Sequence, residues 1–285
     1  MSDEYPVIPC KLDDSVKESI QNYIAELKDN AHKIGSHGLS KDEFWSSGIF
    51  RSAIESLRGS QSASMEEKRG FLKAVLGYLL KNGHIKKWDS SGSKDRHDYE
   101  IVLPTDETIV IEAKGCLDGN NTNIYKRPPN ADEFYIWSLC QNPGADPRKN
   151  AWSGIHTRLS AEIIDSGVVV DGVIIWDMLC GTKGRPCPKG LPNKIGSIEM
   201  PAPCVYLFPQ TVSNPRNNPK PQFRNKSKSL FLKCLQDALA VRDEDINYVT
   251  FETKIENSNL FRRTILKRNE NIIESNYSEI KRSNK

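Results

Sequence analysis

The spacing of apolar residues follows a helical period in the first part of the chain. Between residues 14 and 34 they recur three and four positions apart, which is typical of an amphipathic helix. A second helix is predicted over residues 41–57, with Ser40 as its N-cap and Glu43 three positions later. The third, over residues 64–83, is the clearest, because its apolar residues form one continuous stripe.

After residue 83 the period changes to two, which is typical of strands. The elements predicted from there are strands at 84–88, 98–103 and 108–114, a helix at 153–165, strands at 168–178 and 204–208, a helix at 228–239 and a strand at 248–255. The last ~20 residues are polar and are expected to fray. From residue 64 the order is helix, three strands, helix and strand, which indicates an α/β fold with a mixed sheet.

Composition places the chain in the globular class. Its 285 residues are 37% hydrophobic and 27% charged, which is enough for a sizeable core. No apolar run approaches the ~18 residues of a membrane span, and the acidic start at Asp3 and Glu4 does not resemble a signal peptide. Seven scattered cysteines do not form the framework of a small secreted domain. We therefore expect a soluble, cytoplasmic protein with no membrane contact.

Positive charge is concentrated in one segment. Residues 180–242 contain eleven basic and two acidic residues, a net charge of +9 in a chain whose total is +3. A surface that faces a polyanion needs such a concentration, because each neutralised phosphate releases counterions. A solvated, proline-rich loop would have the same composition, so the segment alone leaves both interpretations open.

Three charged residues lie on the two strands that flank a tight turn predicted at residues 104–107. Asp98 opens the first strand, and Glu112 and Lys114 lie near the end of the second. Glu112 and Lys114 are two positions apart, so strand alternation places them on one face. If the two strands pair as a hairpin, Asp98 lies beside both.

Such a group of charges suits metal-dependent chemistry. Two neighbouring carboxylates repel each other unless a cation lies between them, and oxygen ligands with open water positions suit Mg²⁺. The metal polarises a phosphodiester and lowers the pKa of a bound water, while Lys114 orients that water. The three residues therefore indicate Mg²⁺-dependent hydrolysis of phosphodiesters.

The aspartate, the Glu-Ala-Lys sequence and the order of the surrounding elements resemble the PD-(D/E)xK nuclease superfamily, and type II restriction endonucleases most of all. The resemblance covers residues 64–178 and implies a restriction-endonuclease-like core. It implies that Asp98 and Glu112 bind the metal and that Lys114 is the catalytic lysine. His97 stands where many members have proline, a variation that the superfamily accepts.

Many members of the superfamily place one more glutamate, from the first helix of the core, near the metal. The resemblance implies Glu67 for this role, with Glu66 or Glu55 as alternatives. The domain organisation that follows is an N-terminal helical region at 1–60, a nuclease core at 61–180 with a DNA-facing insertion at 116–150, and a basic C-terminal recognition region at 181–285.

A second set of residues in the chain has the same composition, namely Asp245 followed by Glu252 and Lys254. We favour the first set, because six intervening residues are too few for a comparable hairpin. The competing interpretation of the first set is an exposed edge hairpin with cross-strand salt bridges.

Polar and basic residues of the kind that contact phosphates and base edges follow the Glu-Ala-Lys sequence and continue into the basic segment. The candidates for DNA contact are Asn120, Asn123, Arg148, Lys183, Arg185, Arg216, Lys220, Arg224, Lys226 and Lys228. For the insertion, a polar loop packed by residues 134–137 is the alternative.

Together these features predict a type II restriction endonuclease, a Mg²⁺-dependent hydrolase that cuts double-stranded DNA at specific sites. The resemblance implies a homodimer, because a two-fold protein can cut both strands of a palindrome. Two alternatives stay open. One is a repair or recombination nuclease of the same superfamily, and the other is a DNA-binding module in which the hairpin charges are only structural.

Overall fold

The computed structural model describes residues 14–15, 18, 22, 25, 29–33, 38–47, 65–90, 97–114, 126–140, 163, 169–177, 193–195, 198–200, 202–210 and 223–279. The α-helices within these ranges include α1 (Lys41–Ser47), α2 (Met65–Lys81) and α3 (Leu230–Leu239). None of the helices in these ranges is both long and apolar enough to cross a membrane.

Eleven strands lie within the described ranges. They are β1 (Lys87–Ser90), β2 (Tyr99–Val102), β3 (Thr108–Lys114), β4 (Glu133–Cys140), β5 (Gly172–Asp177), β6 (Asn193–Ile195), β7 (Ile198–Met200), β8 (Cys204–Leu207), β9 (Ile246–Glu256), β10 (Asn259–Arg268) and β11 (Asn271–Glu279). Nine of them form one sheet in the order β1-β2-β3-β4-β5-β8-β9-β10-β11, and β6 pairs with β7 separately.

The large sheet is mixed. Strands β1, β2 and β3 pair antiparallel, while β3, β4 and β5 run parallel. Strand β8 is antiparallel to β5 and parallel to β9, and β9, β10 and β11 form an antiparallel meander. The predicted α/β class and mixed sheet are confirmed.

Helix α1 begins where the sequence predicts a helix start. The backbone N–H of Glu43 donates to the Ser40 Oγ at 3.4 Å, and the backbone N–H of Ser40 donates to the Glu43 Oε2 at 2.9 Å. These two bonds satisfy donors that the first turn of a helix leaves open. The predicted cap is therefore confirmed, although residues 48–57 of the predicted helix lie outside the described ranges.

Helices α2 and α3 cover one face of the sheet. The residues that pack together there include Phe71, Val75, Leu76 and Leu79 of α2, Phe231 and Leu235 of α3, and Ile109, Ile111 and Trp137 of the sheet. The other face of the sheet carries a second buried cluster, which includes Val110, Ile136, Ile175, Phe251 and Leu266. Both faces of the central strands are thus buried, and each large apolar side chain contributes roughly 1.5–3 kcal/mol to folding.

The insertion predicted at residues 116–150 contains a central strand, which the sequence analysis missed. Strand β4 lies between β3 and β5, and residues 133–139 are all buried. A run that is buried on both faces lacks the alternation that marks half-exposed strands, so residues 134–137 were interpretable as the packing of a loop. The strand predicted at 168–178 corresponds to β5, and it is β4 rather than β5 that adjoins β3.

The expectation that the last residues fray is wrong as far as residue 279. Strands β10 and β11 pair across a two-residue turn formed by Asn269 and Glu270, whose φ angles are 45° and 66°. Asn257 and Ser258, at 50° and 65°, form the corresponding turn between β9 and β10. Positive φ at both central residues matches the twist of antiparallel strands, so polar turns here extend the sheet.

The helix predicted at 153–165 lies outside the described ranges except for Ile163. That residue is helical and buried, and it belongs to the cluster on the face opposite α2 and α3. The structure thus describes the predicted succession of a helix and three strands, followed by the parallel strands β4 and β5.

Candidate metal and nucleic-acid site

The β2–β3 hairpin brings the three residues predicted to be catalytic together. Tyr99 pairs with Ile111 in the antiparallel register, and Asp98 comes one position before this last pair. The backbone N–H of Asp98 donates to the Ile111 carbonyl at 3.0 Å, so Asp98 and Tyr99 both lie against Ile111. Two residues against one is the arrangement of a β-bulge, which interrupts the regular pairing before Glu112 is reached. The hairpin therefore places Asp98 beside the end of β3 that carries Glu112 and Lys114.

The turn between these strands sets their register. The N–H of Leu103 donates to the Glu107 carbonyl at 2.9 Å, and the N–H of Asp106 donates to the Leu103 carbonyl at 3.0 Å. Asp106 has a φ of 74°, in the left-handed region that aspartate adopts more readily than most residues. A shift of one residue would send every side chain to the other face, so this turn determines that Tyr99 pairs with Ile111.

Hydrogen bonds and an ion pair hold the three side chains in place. The Oδ2 atom of Asp98 accepts a hydrogen bond from the N–H of Ala113 at 2.8 Å. Glu112 is only 2% exposed, and its Oε1 forms an ion pair with the Nζ of Lys114. The Lys114 side chain keeps 19% of its surface exposed. Two carboxylates and one ammonium therefore lie at the boundary between the core and the surface.

This group lies where the parallel strands end. Lys114 is paired with Ser138 of β4, and Ser138 in turn with Ile175 of β5. Open α/β sheets bind ligands at the carboxyl ends of their parallel strands. Ser138 is buried and stands on the same face as Lys114. The sequence analysis did not select it, because a single serine in an apolar run gives no signal of its own.

The donor set at the hairpin fits a magnesium ion. Mg²⁺ is usually held by one or two carboxylates and keeps several waters. Asp98 and Glu112 supply two carboxylates at this end of the hairpin, where the Asp98 Oδ2 accepts the Ala113 N–H. In the part of the chain that the structure describes, no group of three or more His, Cys, Asp or Glu side chains is placed to hold a metal. The ion would therefore be completed by water and by oxygen atoms of a substrate.

The helical glutamate that the resemblance implies stays a prediction. The backbone of Glu67 lies in the first turn of α2, and its side chain is outside the described part of the structure. Helix α2 packs on the face of Ile109 and Ile111, whereas Glu112 stands on the other face. Glu55 also lies outside the described ranges, and Glu66 is exposed.

The second Glu-x-Lys set is engaged in separate contacts. Asp245 is 1% exposed, and its carboxylate accepts hydrogen bonds from the backbone and the guanidinium of Arg242. Glu252 pairs with Arg263 at 3.5 Å, and Lys254 pairs with Glu256 at 2.7 Å. These contacts leave Asp245 capping a short 3-10 helix, Glu252 bridging β9 and β10, and Lys254 paired within β9. The structure therefore does not bring this set together as it does the first.

Most of the residues predicted to contact DNA lie outside the described ranges. These are Asn120, Asn123, Arg148, Lys183, Arg185, Arg216 and Lys220. Of the remaining three, Arg224 comes just before the short 3-10 helix that precedes α3, and Lys226 and Lys228 are the first and last residues of that helix. Lys226 is half-buried and pairs with Asp243, and Lys228 is exposed.

Arg224 is a correction to the sequence analysis, because its guanidinium faces the core. It is 6% exposed and pairs with Asp171, and it also lies 3.3 Å from the Oε1 of Glu133. Its third partner is the backbone carbonyl of Lys228, at 3.2 Å. A buried arginine with two carboxylate partners is not available to a phosphate, so its positive charge serves the fold.

A buried ionic cluster surrounds Arg224, and the sequence analysis missed it. We call it the Asp171 cluster, and its members are Arg127, Glu133, Tyr135, Asp171, Arg224 and Ser229. Asp171 accepts hydrogen bonds from Arg127, from Arg224 and from the backbone N–H of Phe134 at 2.8 Å. Asp171 directly precedes β5 and Glu133 opens β4. The signal available in the sequence for this cluster was a charged residue at the start of each of these apolar strands.

Glu133 joins this cluster to the start of α3. Its two carboxylate oxygens accept hydrogen bonds from the backbone N–H groups of Leu230 and Phe231, both at 2.9 Å. Burial raises the pKa of the Glu133 carboxyl, and these two amide donors oppose the shift. The hydroxyl of Tyr135 also donates to Glu133 at 3.1 Å, and burial raises the pKa of that phenol well above its usual value. A carboxylate at a helix N-terminus accepts hydrogen bonds from the unpaired N–H groups of the first turn and interacts favourably with the positive end of the helix dipole.

The Asp171 cluster lies at the opposite end of the sheet from the candidate metal site. Glu133 is paired with Ile109, at the beginning of β3, while Lys114 ends the same strand five positions later. Five strand residues span roughly 17 Å. Arg224 and the start of α3, which contact Glu133, are therefore separated from Asp98 and Glu112 by most of the length of β3.

No protein-family model, no curated protein and no solved structure matches this chain. The hairpin geometry and the resemblance of its residues are therefore the grounds for a functional proposal.

Proposed function

We propose that this protein is a type II restriction endonuclease, a Mg²⁺-dependent hydrolase of double-stranded DNA with a restriction-endonuclease-like core. The observation that carries the proposal is the convergence of Asp98, Glu112 and Lys114 at the carboxyl end of β3. These three residues lie at the edge where β3 and β4 end, which supports a ligand site rather than a surface ion pair without a function.

The position of the hairpin supports this proposal against the salt-bridge interpretation. An exposed edge hairpin would place its charges in solvent at the margin of the sheet. Strand β3 instead has β2 on one side and β4 on the other, and Glu112 is almost fully buried. A buried carboxylate beside a second carboxylate costs stability unless it gains hydrogen bonds or a cation, and such costs are most common at functional sites.

Each of the three residues has a role in the proposed reaction. Asp98 and Glu112 hold Mg²⁺, which when bound polarises the scissile phosphodiester and lowers the pKa of a water. The bond from the Ala113 N–H fixes the Asp98 carboxylate, so little reorganisation is needed to receive the ion. The Lys114 ammonium orients the attacking water and offsets the negative charge that develops on the phosphate.

The proposed partner is duplex DNA, and the proposed assembly is a cytoplasmic homodimer. A net charge of +9 between residues 180 and 242 supports contact with a polyanion. Within that segment, burial removes Arg224 from the contact surface and leaves Lys226 and Lys228 as the described candidates. Two copies related by a two-fold axis would cut both strands of a palindromic site.

Purified protein incubated with Mg²⁺ and plasmid or phage DNA tests the function directly. The proposal expects a reproducible set of discrete bands that EDTA abolishes. Nicked circles without linear product, or a preference for branched DNA, would favour the repair or recombination nuclease. Binding of DNA without cleavage of plasmid, phage or branched DNA would favour the DNA-binding module.

Neutralising Lys226 and Lys228 together tests whether the described end of the basic segment follows the DNA backbone. Each lost phosphate contact should reduce the slope of log K against log salt by roughly 0.9, with equal weakening of specific and non-specific binding. Fluorescence anisotropy over a series of salt concentrations measures both slopes. An unchanged slope in the double variant Lys226→Gln/Lys228→Gln would remove this end of the segment from the interface.

A further inference from the structure

The β6–β7 hairpin lies in the basic segment, between β5 and β8 in the chain. It consists of three cross-strand pairs and, within the described ranges, joins no strand of the large sheet. The connection that contains it, residues 178–203, has four basic residues and one acidic residue, a net charge of +3. The hairpin is therefore a small two-stranded ribbon in a segment whose charge is complementary to that of a polyanion.

Strand pairing in the large sheet brings both ends of this connection to the edge that carries the candidate metal site. Lys114 pairs with Ser138, which pairs with Ile175. Ile175 in turn pairs with Cys204, so one row of residues crosses β3, β4, β5 and β8. Three strand spacings separate Lys114 from Cys204, which is roughly 14 Å. The connection leaves β5 two positions after Ile175 and returns at Cys204, at the same end of the sheet as Lys114.

The short chain between the hairpin and β8 limits their separation. Met200 ends β7 and Cys204 begins β8, and the four steps along the chain between them span at most about 14 Å. Ala202 and Pro203, on this stretch, are buried. The end of β7 thus lies within roughly 28 Å of Lys114, which is less than the helical turn of a DNA duplex, about 34 Å.

We propose that the β6–β7 hairpin enters the major groove of the DNA and contacts a G·C base pair through Lys194 and Glu199. The inference rests on the proposed function, because it names the element that selects the DNA sequence. The major groove admits a two-stranded ribbon, where a lysine binds the O6 and N7 atoms of guanine and a glutamate accepts a hydrogen bond from the N4 group of cytosine. Lys194 is paired with Glu199 in the hairpin register, so the two residues are neighbours as the two bases of one pair are.

Glu199 distinguishes this role from a purely electrostatic one. A carboxylate repels the phosphates of every duplex, so in a basic segment it weakens non-specific binding. A cross-strand ion pair with Lys194 would stabilise the hairpin and would carry no sequence information. A hydrogen bond from cytosine instead makes the carboxylate favourable on one base pair alone. Removal of Glu199 should therefore strengthen binding to random duplexes while it relaxes the preference for G·C.

Selection of binding sites from duplexes with a randomised core, with Ca²⁺ in place of Mg²⁺, tests the inference. The unaltered protein should select a sequence that contains a G·C pair. Replacing this pair by A·T should weaken binding roughly 10-fold to 100-fold, the range of a good base contact. In the double variant Lys194→Ala/Glu199→Ala the same replacement should cost less than about threefold, because both contacts are gone. Fluorescence anisotropy on the two matched duplexes measures both ratios.

Two further variants define the comparison. Lys194→Arg keeps a bidentate donor for guanine and should retain the preference, which separates base contact from poor folding of the double variant. Lys254→Ala/Glu256→Ala removes a lysine–glutamate pair on β9 and should leave the preference unchanged.

The outcomes separate this inference from the proposed function. If the protein cuts DNA, then a selected sequence without a G·C pair, no selected sequence, or a preference that the double variant keeps overturns the base contact alone. If the protein neither selects a sequence nor cuts DNA, the inference and the proposed function are overturned together.

Discussion

Replacing Asp98 by asparagine is expected to reduce the single-turnover rate of DNA cleavage by at least about 1,000-fold, because one of two charged metal ligands is lost. The amide oxygen of asparagine can still accept the hydrogen bond from the Ala113 N–H, so the hairpin should keep its register. Thermal unfolding and DNA affinity should therefore stay close to those of the unaltered protein. Quenched-flow cleavage of an end-labelled duplex, combined with circular dichroism, measures all three.

Glu252→Gln is the matched control for this experiment. Glu252 belongs to the competing set, where it pairs with Arg263 across β9 and β10. Its replacement should leave the cleavage rate within about twofold, because Glu252 is not part of the proposed metal site. If Glu252→Gln abolished cleavage and Asp98→Asn did not, the active residues would be those of the second set.

Replacing Arg224 by methionine is expected to lower the free energy of unfolding by about 3–5 kcal/mol, because it leaves buried carboxylates without their cation. Asp171 and Glu133 are its two carboxylate partners, and the three side chains are at most 4% exposed. Urea unfolding followed by tryptophan fluorescence gives the change in free energy. The salt dependence of DNA binding should not change, because the guanidinium does not reach the surface.

Lys226→Met is the corresponding control, on the short 3-10 helix that follows Arg224. Lys226 pairs with Asp243, but their side chains are 42% and 67% exposed, so the expected change is about 0–1 kcal/mol. A small change at Arg224, similar to that at Lys226, would mean that the buried cluster contributes little. A reduced salt slope in Arg224→Met would return this residue to the DNA-contact surface.

The β2–β3 hairpin was predictable because its signals are local. Alternation of apolar residues, the Pro104 turn and the spacing of Glu112 and Lys114 all lie within 17 residues, and each concerns neighbours in sequence. Once the turn is placed, pairing of the strands brings Asp98 to the end of β3 that carries Glu112, without any information from the rest of the chain. The candidate metal site could therefore be located before the fold was known.

The role of Arg224 was not predictable in this way. In the sequence it is one of eleven basic residues in a polar, proline-rich segment. Its carboxylate partners are 53 and 91 residues away, on strands that adjoin only in the folded sheet. Charge composition gives the sign of a segment but not which of its residues is buried. Strand β4 was missed for a related reason, since its neighbours β3 and β5 determine that it is buried on both faces.

The capping of α3 by Glu133 has a consequence for how this protein folds. The cap reaches across 97 residues, so the first turn of the helix gains these two hydrogen bonds only after β4 has been incorporated into the sheet. Contacts so distant in sequence close large loops, and their loop entropy must be overcome before they contribute. Ser229 offers a local cap through the N–H of Leu232 at 3.3 Å, which is available earlier. Helix α3 can thus begin to form with its local Ser229 cap. It reaches its full stability only after the parallel part of the sheet has assembled.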